Sequence, residues 1–592
     1  MALKRRELLL SGGAMVAAVT ASRVASPTRA SAQAQQAPIK WDREADVVVI
    51  GSGATGLPAA IVAQEAGCSV ILVEAEKDIG GHAITSGGNV PLGGGTSVQK
   101  KYGIADSPDV LFRDLTDWSV VEANGFPDYR YNDREIIRAF ADNSAPTFEW
   151  LVAHGVIFVN KAPDAQGGNS VGNSVPREMH AAVKDWPMVQ SGKPANPIIQ
   201  ATLSSGNGLM RPLEAAARKA GVEILLAHRM TGIYRQTPSS GPVFGIAVDN
   251  NGAKLNIRAR KAVVIGTGGS TGNVNFRRMF DPRLTEEYCG LAGMPWSNQD
   301  ASGELAGMAI GASLWGLYNQ IGEFGSNVTK PGTIGCQYGY RNLRWIPGSA
   351  VFDRARATGL MVANWQDVIL VNMLGKRFYD ETGDQFIANN YKSIDPYVQG
   401  SYLNAKNVKY NPNNFLDAAL AGIDDGYNGG GPIWAIFDAD AVTREKWNPT
   451  PPNVDVDAGF FFSADTLADL AKKIVMKYQR VAMPPANLEA TAARYNSFVD
   501  SGIDEDFGKP KPLHKIAKPP FYAAWATPVL HDTRAGLRIN ASCQVVDMNG
   551  QVIPGLYCGG ESAGGFSQHG LARAACQGYI AGRHAAAETT KS

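Results

Sequence analysis

What this chain of 592 residues lacks narrows the field before any motif is read. Charge of one sign is missing: 56 Lys and Arg stand against 55 Asp and Glu, a net +1. So even a balance supplies no basic footprint for nucleic acid and none for an anionic membrane surface. Neither is expected as a partner. Cysteine is scarce, and none of Cys68, Cys289, Cys336, Cys543, Cys558 and Cys576 falls at metal-ligand spacing. No Cys-x-x-Cys-His occurs, so the chain attaches no haem of its own; no metal is expected, and buried free thiols are. No solenoid period is present, and beyond the leader no apolar run approaches the length of a membrane span.

A chain this long exceeds what one hydrophobic core organises, so two domains are expected. Hydrophobic residues at 44% and charged ones at 19% describe a soluble, well-packed protein. The start reads as a processing segment. Lys4-Arg5-Arg6 precedes an apolar, Gly-interrupted stretch (Leu8–Ala21), and Ala30-Ser31-Ala32 or Ala32-Gln33-Ala34 offers a cleavage site. Residues 1–34 are therefore expected to be a twin-arginine-type signal peptide that sends a folded protein to the periplasm.

The stretch from Val47 to Glu74 organises the rest. An apolar strand (Val47–Ile50) meets Gly51-Ser52-Gly53-Ala54-Thr55-Gly56; a small-residue helix follows, then a second strand (Val70–Val73) ending at Glu74-Ala75. Gly51 permits a tight turn, Gly53 lets backbone N–H groups reach a pyrophosphate, and Gly56 lets the helix lie close. The helix N-terminus favours the phosphates, and Glu74 is spaced to accept from a ribose hydroxyl. The motif fixes a dinucleotide without choosing between NAD and FAD.

A second glycine-rich stretch follows at once: Gly80-Gly81-His82-Ala83-Ile84-Thr85-Ser86-Gly87-Gly88. It resembles the flavin-contact segment of the fumarate reductase and 3-ketosteroid dehydrogenase superfamily, the FAD-binding type 2 flavoproteins. Further segments are similar to that superfamily in the same order. They include Val263-Val-Ile-Gly-Thr267-Gly268-Gly269, the Asp300 helix, Arg377-Phe-Tyr379-Asp-Glu, and the His531-Asp-Thr segment. Gly559-Gly-Glu561 and His569-Gly-Leu571-Ala572-Arg573 complete the series.

The resemblance implies an α/β fold: a Rossmann-like FAD-binding domain (residues 41–280 and 519–592) and a discontinuous α+β capping, or substrate, domain (281–518). It implies FAD, held non-covalently. His82 sits one residue from where succinate dehydrogenases carry their covalent anchor, so it is expected as an ordinary loop contact. Thr267, Gly268 and Gly269 would reach the adenosine half, Asp300 would cap its helix near the cofactor, and Glu561 would bond the ribityl chain. Backbone donors at Leu571 and Ala572 would face the ring.

The superfamily chemistry moves a hydride between flavin N5 and a carbon–carbon bond beside a carbonyl, with proton transfer at the neighbouring carbon. Where fumarate reductases need arginines this chain has Gln385 and Leu571, with Arg573 two residues later; the tyrosines of the ketosteroid enzymes are missing as well. Catalytic candidates are therefore His569, His531 and Arg573 from the nucleotide side, and Tyr379, Asp384 and Gln385 from the cap. Desaturation of a small ketone, cyclic or steroid-like, is expected, with reduction of an activated C=C bond as the alternative. A non-catalytic flavin electron-transfer protein is the reading from another class. The partners expected are a small organic substrate and an external electron acceptor such as a cytochrome or quinone.

Coarse patterning predicts helices at Ser107–Asp117, Asp133–His154, Leu209–Ala220, Asp465–Ala482 and Leu488–Ser501. Val222–Leu226, Val243–Asp249 and Ala253–Ala259 read as a small antiparallel sheet, and Val368–Glu381 as strand, turn and strand. Residues 160–206, which carry His180, Lys184 and Trp186, and Asn404–Pro432 read as loop.

Overall fold

A computed structural model describes residues 39–116, 132–164, 174–182, 206–280, 298–315, 359–378, 380–382, 432–451, 453–526, 529–566 and 570–591. Short pieces at 189–190, 193–194, 284–286, 290–291, 320–322, 333–336 and 344–345 are described as well.

β1 (Arg43–Ile50) passes through the glycine turn into α1 (Gly56–Glu65) and returns as β2 (Val70–Val73), with Val47 opposite Val70 and Ile50 opposite Val73. Val47–Ile50 and all of β2 are buried, as strands covered on both faces must be. α2 (Arg134–Ala153) begins where the Asp133 carboxylate accepts from the Glu135 and Ile136 N–H groups. α3 (Gly206–Ala220) leads to β3 (Glu223–Leu225), β4 (Arg229–Arg235), β5 (Val243–Asn250) and β6 (Ala253–Ile265).

The chain then supplies α4 (Ser302–Ala309), β7 (Ile369–Val371), β8 (Trp434–Phe437), β9 (Phe461–Ala464), α5 (Pro485–Ser501) and β10 (Phe521–Trp525). β11 (Gln544–Val546), β12 (Val552–Cys558) and α6 (Leu571–Ala587) end it.

Two sheets carry these strands. The larger runs β11–β12–β6–β1–β2–β3, with β5 pairing β6 and β4 pairing β5. Its central strands β12, β6, β1, β2 and β3 are parallel, so their C-terminal ends lie on one side. The smaller sheet, β7–β8–β10–β9, is antiparallel and built on aromatic packing: Trp434 and Trp525 meet edge to face at 6.1 Å, both fully buried.

Three expectations change. The segments Ala253–Ala259 and Lys261–Ile265 are one continuous strand, β6: its outer half pairs antiparallel with β5 and its inner half parallel with β1 and β12. The small antiparallel sheet is thus an extension of the large one, and Val222–Leu226 pairs with β2 instead. The Asp465–Ala482 helix is shorter, Leu467–Lys473, because Ile474 leaves helical geometry (ψ 83°) and buries itself. Near residue 519, β10 still belongs to the smaller sheet, and the strands rejoin the large sheet only at β11. The expected Asn404–Pro432 loop lies outside the described residues, except for its last residue.

Among the described cysteines Cys68, Cys336, Cys543, Cys558 and Cys576 are buried free thiols. No helix among the described residues is long and apolar enough to cross a membrane.

Candidate functional site

Three parallel strands end in glycine: Ile50–Gly51, Ile265–Gly266 and Cys558–Gly559. Each glycine N–H donates back to the neighbouring strand: Gly51 to Val73 O at 2.8 Å, Gly266 to Ile50 O at 2.9 Å, and Gly559 to Ile265 O at 3.2 Å. The ladder is thereby completed to its last rung, and the loops beyond it converge on one edge. Such an edge, where β1 lies between β6 and β2 and the crossovers diverge, is where a doubly wound sheet receives a ligand.

The glycines divide by what surrounds them. Gly51 has φ +93°, and a Cβ there would overlap the Gly266 carbonyl; a Cβ on Gly56 would overlap Gly51 O. These two are packing glycines. Gly53, Gly81 and Gly268 differ: a Cβ on Gly53 would come no nearer than 4.0 Å, to Gly80 O, and the other two have nothing within 4 Å. They flank open space. Thr55, at the N-cap of α1, makes no side-chain cap bond, and in the first turn of the helix the Leu57 N–H donates back to Gly53 O at 3.1 Å.

Glu74 lies at the tip of β2, where its Oε2 accepts from Ser52 N at 2.9 Å and Ser52 Oγ at 2.6 Å, and its Oε1 from Glu76 N at 2.9 Å. Burial pushes this carboxyl above the ordinary carboxylate range, opposed by the Ser52 and Glu76 bonds. Ser52 Oγ also accepts from Gly80 N at 3.1 Å, so one hydroxyl ties the first glycine turn to the second. Ala75, next in sequence, is half-buried.

The second stretch forms a 3-10 turn, Gly81–Thr85, entered through Gly80 at φ +102°. Thr85 Oγ1 donates to His82 O at 2.9 Å and Ser86 Oγ to Ala83 O at 2.8 Å, so both hydroxyl protons are spent inside the turn. These bonds hold the loop and leave Gly81, His82 and Gly87 half-buried. Gly88 is tied by its carbonyl to Ala181 N at 2.8 Å.

From the other strand ends, Thr267 Oγ1 meets Ser562 Oγ at 2.9 Å, and the Gly268 and Gly269 N–H groups donate to the same Ser562 oxygen at 3.0 and 3.3 Å. Gln299, buried at φ 41°, donates from Nε2 to Gly268 O at 2.8 Å and to Glu561 Oε2 at 2.7 Å. Glu561 is thus oriented by a residue that sequence reading passed over. So is Ser270, whose N–H donates to Thr533 Oγ1 at 3.1 Å. Gln299, Ser562 and Thr533 stand beside expected residues, and that adjacency was their one signal.

Asp300 is not the helix cap. Ala301 takes that place at φ 60°, one residue later, because a left-handed turn opens α4. Asp300 Oδ1 accepts from Ser302 N at 3.0 Å while Oδ2 pairs with Arg229 at 2.6 Å.

α6 is brought to the site by close backbone contact: a Cβ on Gly578 would overlap Thr55 O, and one on Gly582 would overlap Ala59 O. Leu571 and Ala572 form its first turn, both buried. Arg573 is 1% exposed, and its guanidinium donates to Phe566 O at 2.8 Å and to Ala563 O, binding the preceding loop. Of the other catalytic candidates, His531 lies on the strand Val529–Thr533. Tyr379, Asp384, Gln385 and His569 lie outside the described residues, as do Lys184 and Trp186; His180 Nε2 meets Asp164 Oδ2 at 2.6 Å.

A family model described as an FAD binding domain matches residues 46–577. The 3-oxosteroid 1-dehydrogenase of Mycolicibacterium smegmatis is 27% identical over 88% of this chain and 92% of its own length. The fumarate reductase (cytochrome) of Shewanella frigidimarina is also 27% identical, over 89% of this chain and 73% of its own. In fold, the chain is similar to the 3-ketosteroid delta1-dehydrogenase from Sterolibacterium denitrificans, solved in complex with 1,4-androstadiene-3,17-dione. That match has a TM-score of 0.59 at 20% identity, covering 92% of this chain and 100% of the other.

Proposed function

This chain belongs to the FAD binding domain family, and from that premise we propose that the cofactor lies along the ends of β1, β6 and β12. It is an FAD-dependent oxidoreductase. One observation carries the placement: Gly53, Gly81 and Gly268 all border open space, while the glycines that pack backbone on backbone, Gly51 and Gly56, hold the edge in shape. In this reading the α1 N-terminus and Gly51–Gly56 take the pyrophosphate, and Glu74 with Ala75 takes the ribose. Thr267–Gly269 contact the adenosine half, and Glu561, aimed by Gln299, takes the ribityl chain. Gly81–Gly88 and the Leu571–Ala572 turn flank the ring. Asp300 serves them from outside, through Arg229 and the start of α4.

When bound, the flavin supplies a two-electron hydride acceptor or donor at N5. The protein's part is to hold a substrate carbon there and to manage a proton and a developing negative charge. Leu571 and Ala572 contribute N–H groups of a helix N-terminus, which favour such charge. Arg573 adds its cation by fixing the Ala563–Phe566 loop. His531 and His569, with Tyr379, Asp384 and Gln385 of the proposed cap segment, are the proposed proton-handling and binding groups.

The substrate proposed is a small ketone, steroid-like in class, desaturated beside its carbonyl; the steroid dehydrogenase relative, matched over nearly its whole length, supports that direction. Reduction of an activated C=C bond is the second reading, favoured by the fumarate reductase relative. Electrons then pass to a separate acceptor, a cytochrome or quinone, and the Arg5-Arg6 leader supports export to the periplasm. The division into a nucleotide domain (41–280 and 519–592) and a cap (281–518) is part of the same proposal, amended so that β10, paired in the smaller sheet, goes with the cap and the return to the nucleotide domain follows Trp525. The test is direct: purified yellow protein is mixed with saturated ketones, enones and dicarboxylates while flavin absorbance is followed. Bleaching by a saturated ketone is the expected result. Reoxidation of the reduced protein by unsaturated acids alone would replace this reading with the second. A flavin that exchanges electrons with protein partners and with none of these compounds would leave an electron carrier.

A further inference from the structure

Glu178 lies on the short strand Glu178–His180, antiparallel to Asn89–Pro91, the segment that leaves the second glycine stretch. Asn89 follows Gly88 directly, and its amide donates to Glu178 Oε1. The residue is 1% exposed, and its Oε2 has no hydrogen-bond partner. An ionised carboxylate is costly in such a place, and a proton removes the cost.

Strand pairing sets Asn89 opposite His180, so Asn89, Glu178 and His180 share one face, while Val90 and Met179 on the other enter the hydrophobic core. Around that face, Asp164 exchanges backbone bonds with Glu178 at 2.9 and 3.3 Å. The Asp164 carboxylate takes His180 at 2.6 Å and Lys161 at 2.7 Å. Arg177, the neighbour on the opposite face, is taken up by Asp106 and Asp114. Asp164 and Lys161 are exposed, so water comes within one residue of a buried carboxyl that adjoins the glycine stretch.

We propose that Glu178 is a proton-holding residue of the flavin site, taking one proton from water as negative charge develops beside Gly87 and Gly88 and returning it when that charge leaves. The inference rests on the placement of FAD given above. For every two electrons that a reductant delivers, one proton travels with the hydride, and the Glu178 carboxylate takes one more to become a neutral acid. The net charge of the site is then unchanged. Burial pushes the Glu178 carboxyl up to about 7, the Asn89 bond opposing and Asp164 adding, so both charge states are within reach at neutral pH.

The test is the pH dependence of the flavin midpoint potential in the holoprotein, titrated with dithionite and reference dyes between about pH 6 and 8. Wild-type potential is expected to fall about twofold more steeply with pH than that of Glu178→Gln, because two protons rather than one accompany two electrons. Equal slopes with flavin bound in both proteins would overturn the proposal. Asn89→Ala removes the donor to Oε1 and is expected to carry the steep interval to higher pH; an unmoved interval is equally fatal, and this variant decides the matter if Glu178→Gln does not fold. A wild-type protein that binds no flavin is seen before any titration, and it overturns the cofactor placement itself.

Discussion

At the ends of β1, β6 and β12 the chain presents glycines, three of which, Gly53, Gly81 and Gly268 in the loops there, border open space. Beside β7 and α5 it closes Arg377, Glu381, Asp504 and Lys509 on one another. Arg377 grips Glu381 with two bonds of 2.7 and 2.8 Å and reaches Asp504 at 2.8 Å; Lys509 meets Glu381 at 3.2 Å and donates to Trp365 O and Val368 O. None of the four side chains is more than 5% exposed. Two cations and two carboxylates balance in charge, as buried charges must, with Arg377 Nη1 reaching Asp504 as an ion pair outside hydrogen-bond geometry. The strand-end region instead leaves open space beside three glycines, Gly53, Gly81 and Gly268. The contrast separates a scaffold, closed on itself, from an edge that leaves room beside its backbone.

The sharpest way to break that contrast is at the glycines. Gly56→Val would drive a side chain into the Gly51 carbonyl, and we expect a loss of about 3 kcal/mol or more in stability together with loss of the yellow colour. Gly53→Ala meets nothing nearer than 4.0 Å in the protein. Its apoprotein should melt within a degree or two of wild type, on the order of 0.5 kcal/mol, while flavin retention falls at least roughly tenfold. Equal effects of the two on apoprotein melting would erase the distinction between packing and receiving glycines.

On the scaffold side, Glu381→Gln should cost about 3 kcal/mol by leaving Arg377 and Lys509 with too little countercharge, yet the folded fraction should still bind flavin. The pH dependence has a definite sign. Burial alone would raise the Glu381 carboxyl, but Arg377 and Lys509 prevail and hold it at about 2, below its ordinary 4.5. Its contribution is therefore present above about pH 4.5 and lost as pH falls toward 2. Acid unfolding should flatten across that interval in the variant, and chemical denaturation at a series of pH values measures it.

How much of this was legible in the sequence follows from the range of each contact. The β1–α1–β2 crossover and Glu74 were readable because turn, helix and acid lie within a few dozen consecutive residues and each has a local steric cause. Asp133 at the start of α2 was readable for the same reason, whereas α5 begins at Pro485, three residues before the expected Leu488. The double pairing of β6 was hidden because a strand's partners are not written in its own alternation. Gln299 on Glu561, Ser562 on Gly268 and Arg229 on Asp300 join residues far apart in the chain, and no spacing announces them. Asn89 on Glu178 is the same kind of meeting, made by two short strands in a region that reads as polar loop.

Glu304 is the exception that sharpens the comparison. It lies on α4, fully buried, and neither carboxyl oxygen has a hydrogen-bond partner. Burial, aided by the Asp300 charge, pushes it up to about 8 from an ordinary 4.5. The folded protein therefore keeps a proton that the unfolded chain releases, so stability is whole below about pH 4.5 and declines as pH rises to 8. Replacement by an apolar side chain of similar volume, Glu304→Met, should add about 2 kcal/mol at pH 8 and little at pH 5. A variant whose stability runs parallel to wild type across that range would show that Glu304 finds a partner once the cofactor or water is in place, and would move it from scaffold to receptor.

The smallest effect is expected at Asp300, and it asks on which side of the comparison that residue belongs. Its carboxylate does two local jobs, accepting from Ser302 N at the start of α4 and pairing with a half-exposed Arg229 at 2.6 Å. A solvent-screened pair and one end-of-helix bond together account for about 0.5–1 kcal/mol. Asp300→Ala should lower apoprotein stability by that much, and the loss should shrink in high salt because Arg229 and Asp300 are both open to water. Flavin affinity should change less than threefold, since Asp300 acts on the site only through the start of α4. A larger fall in flavin affinity, at unchanged apoprotein stability, would instead make this carboxylate part of the receiving edge, and Arg229 its means of being held there.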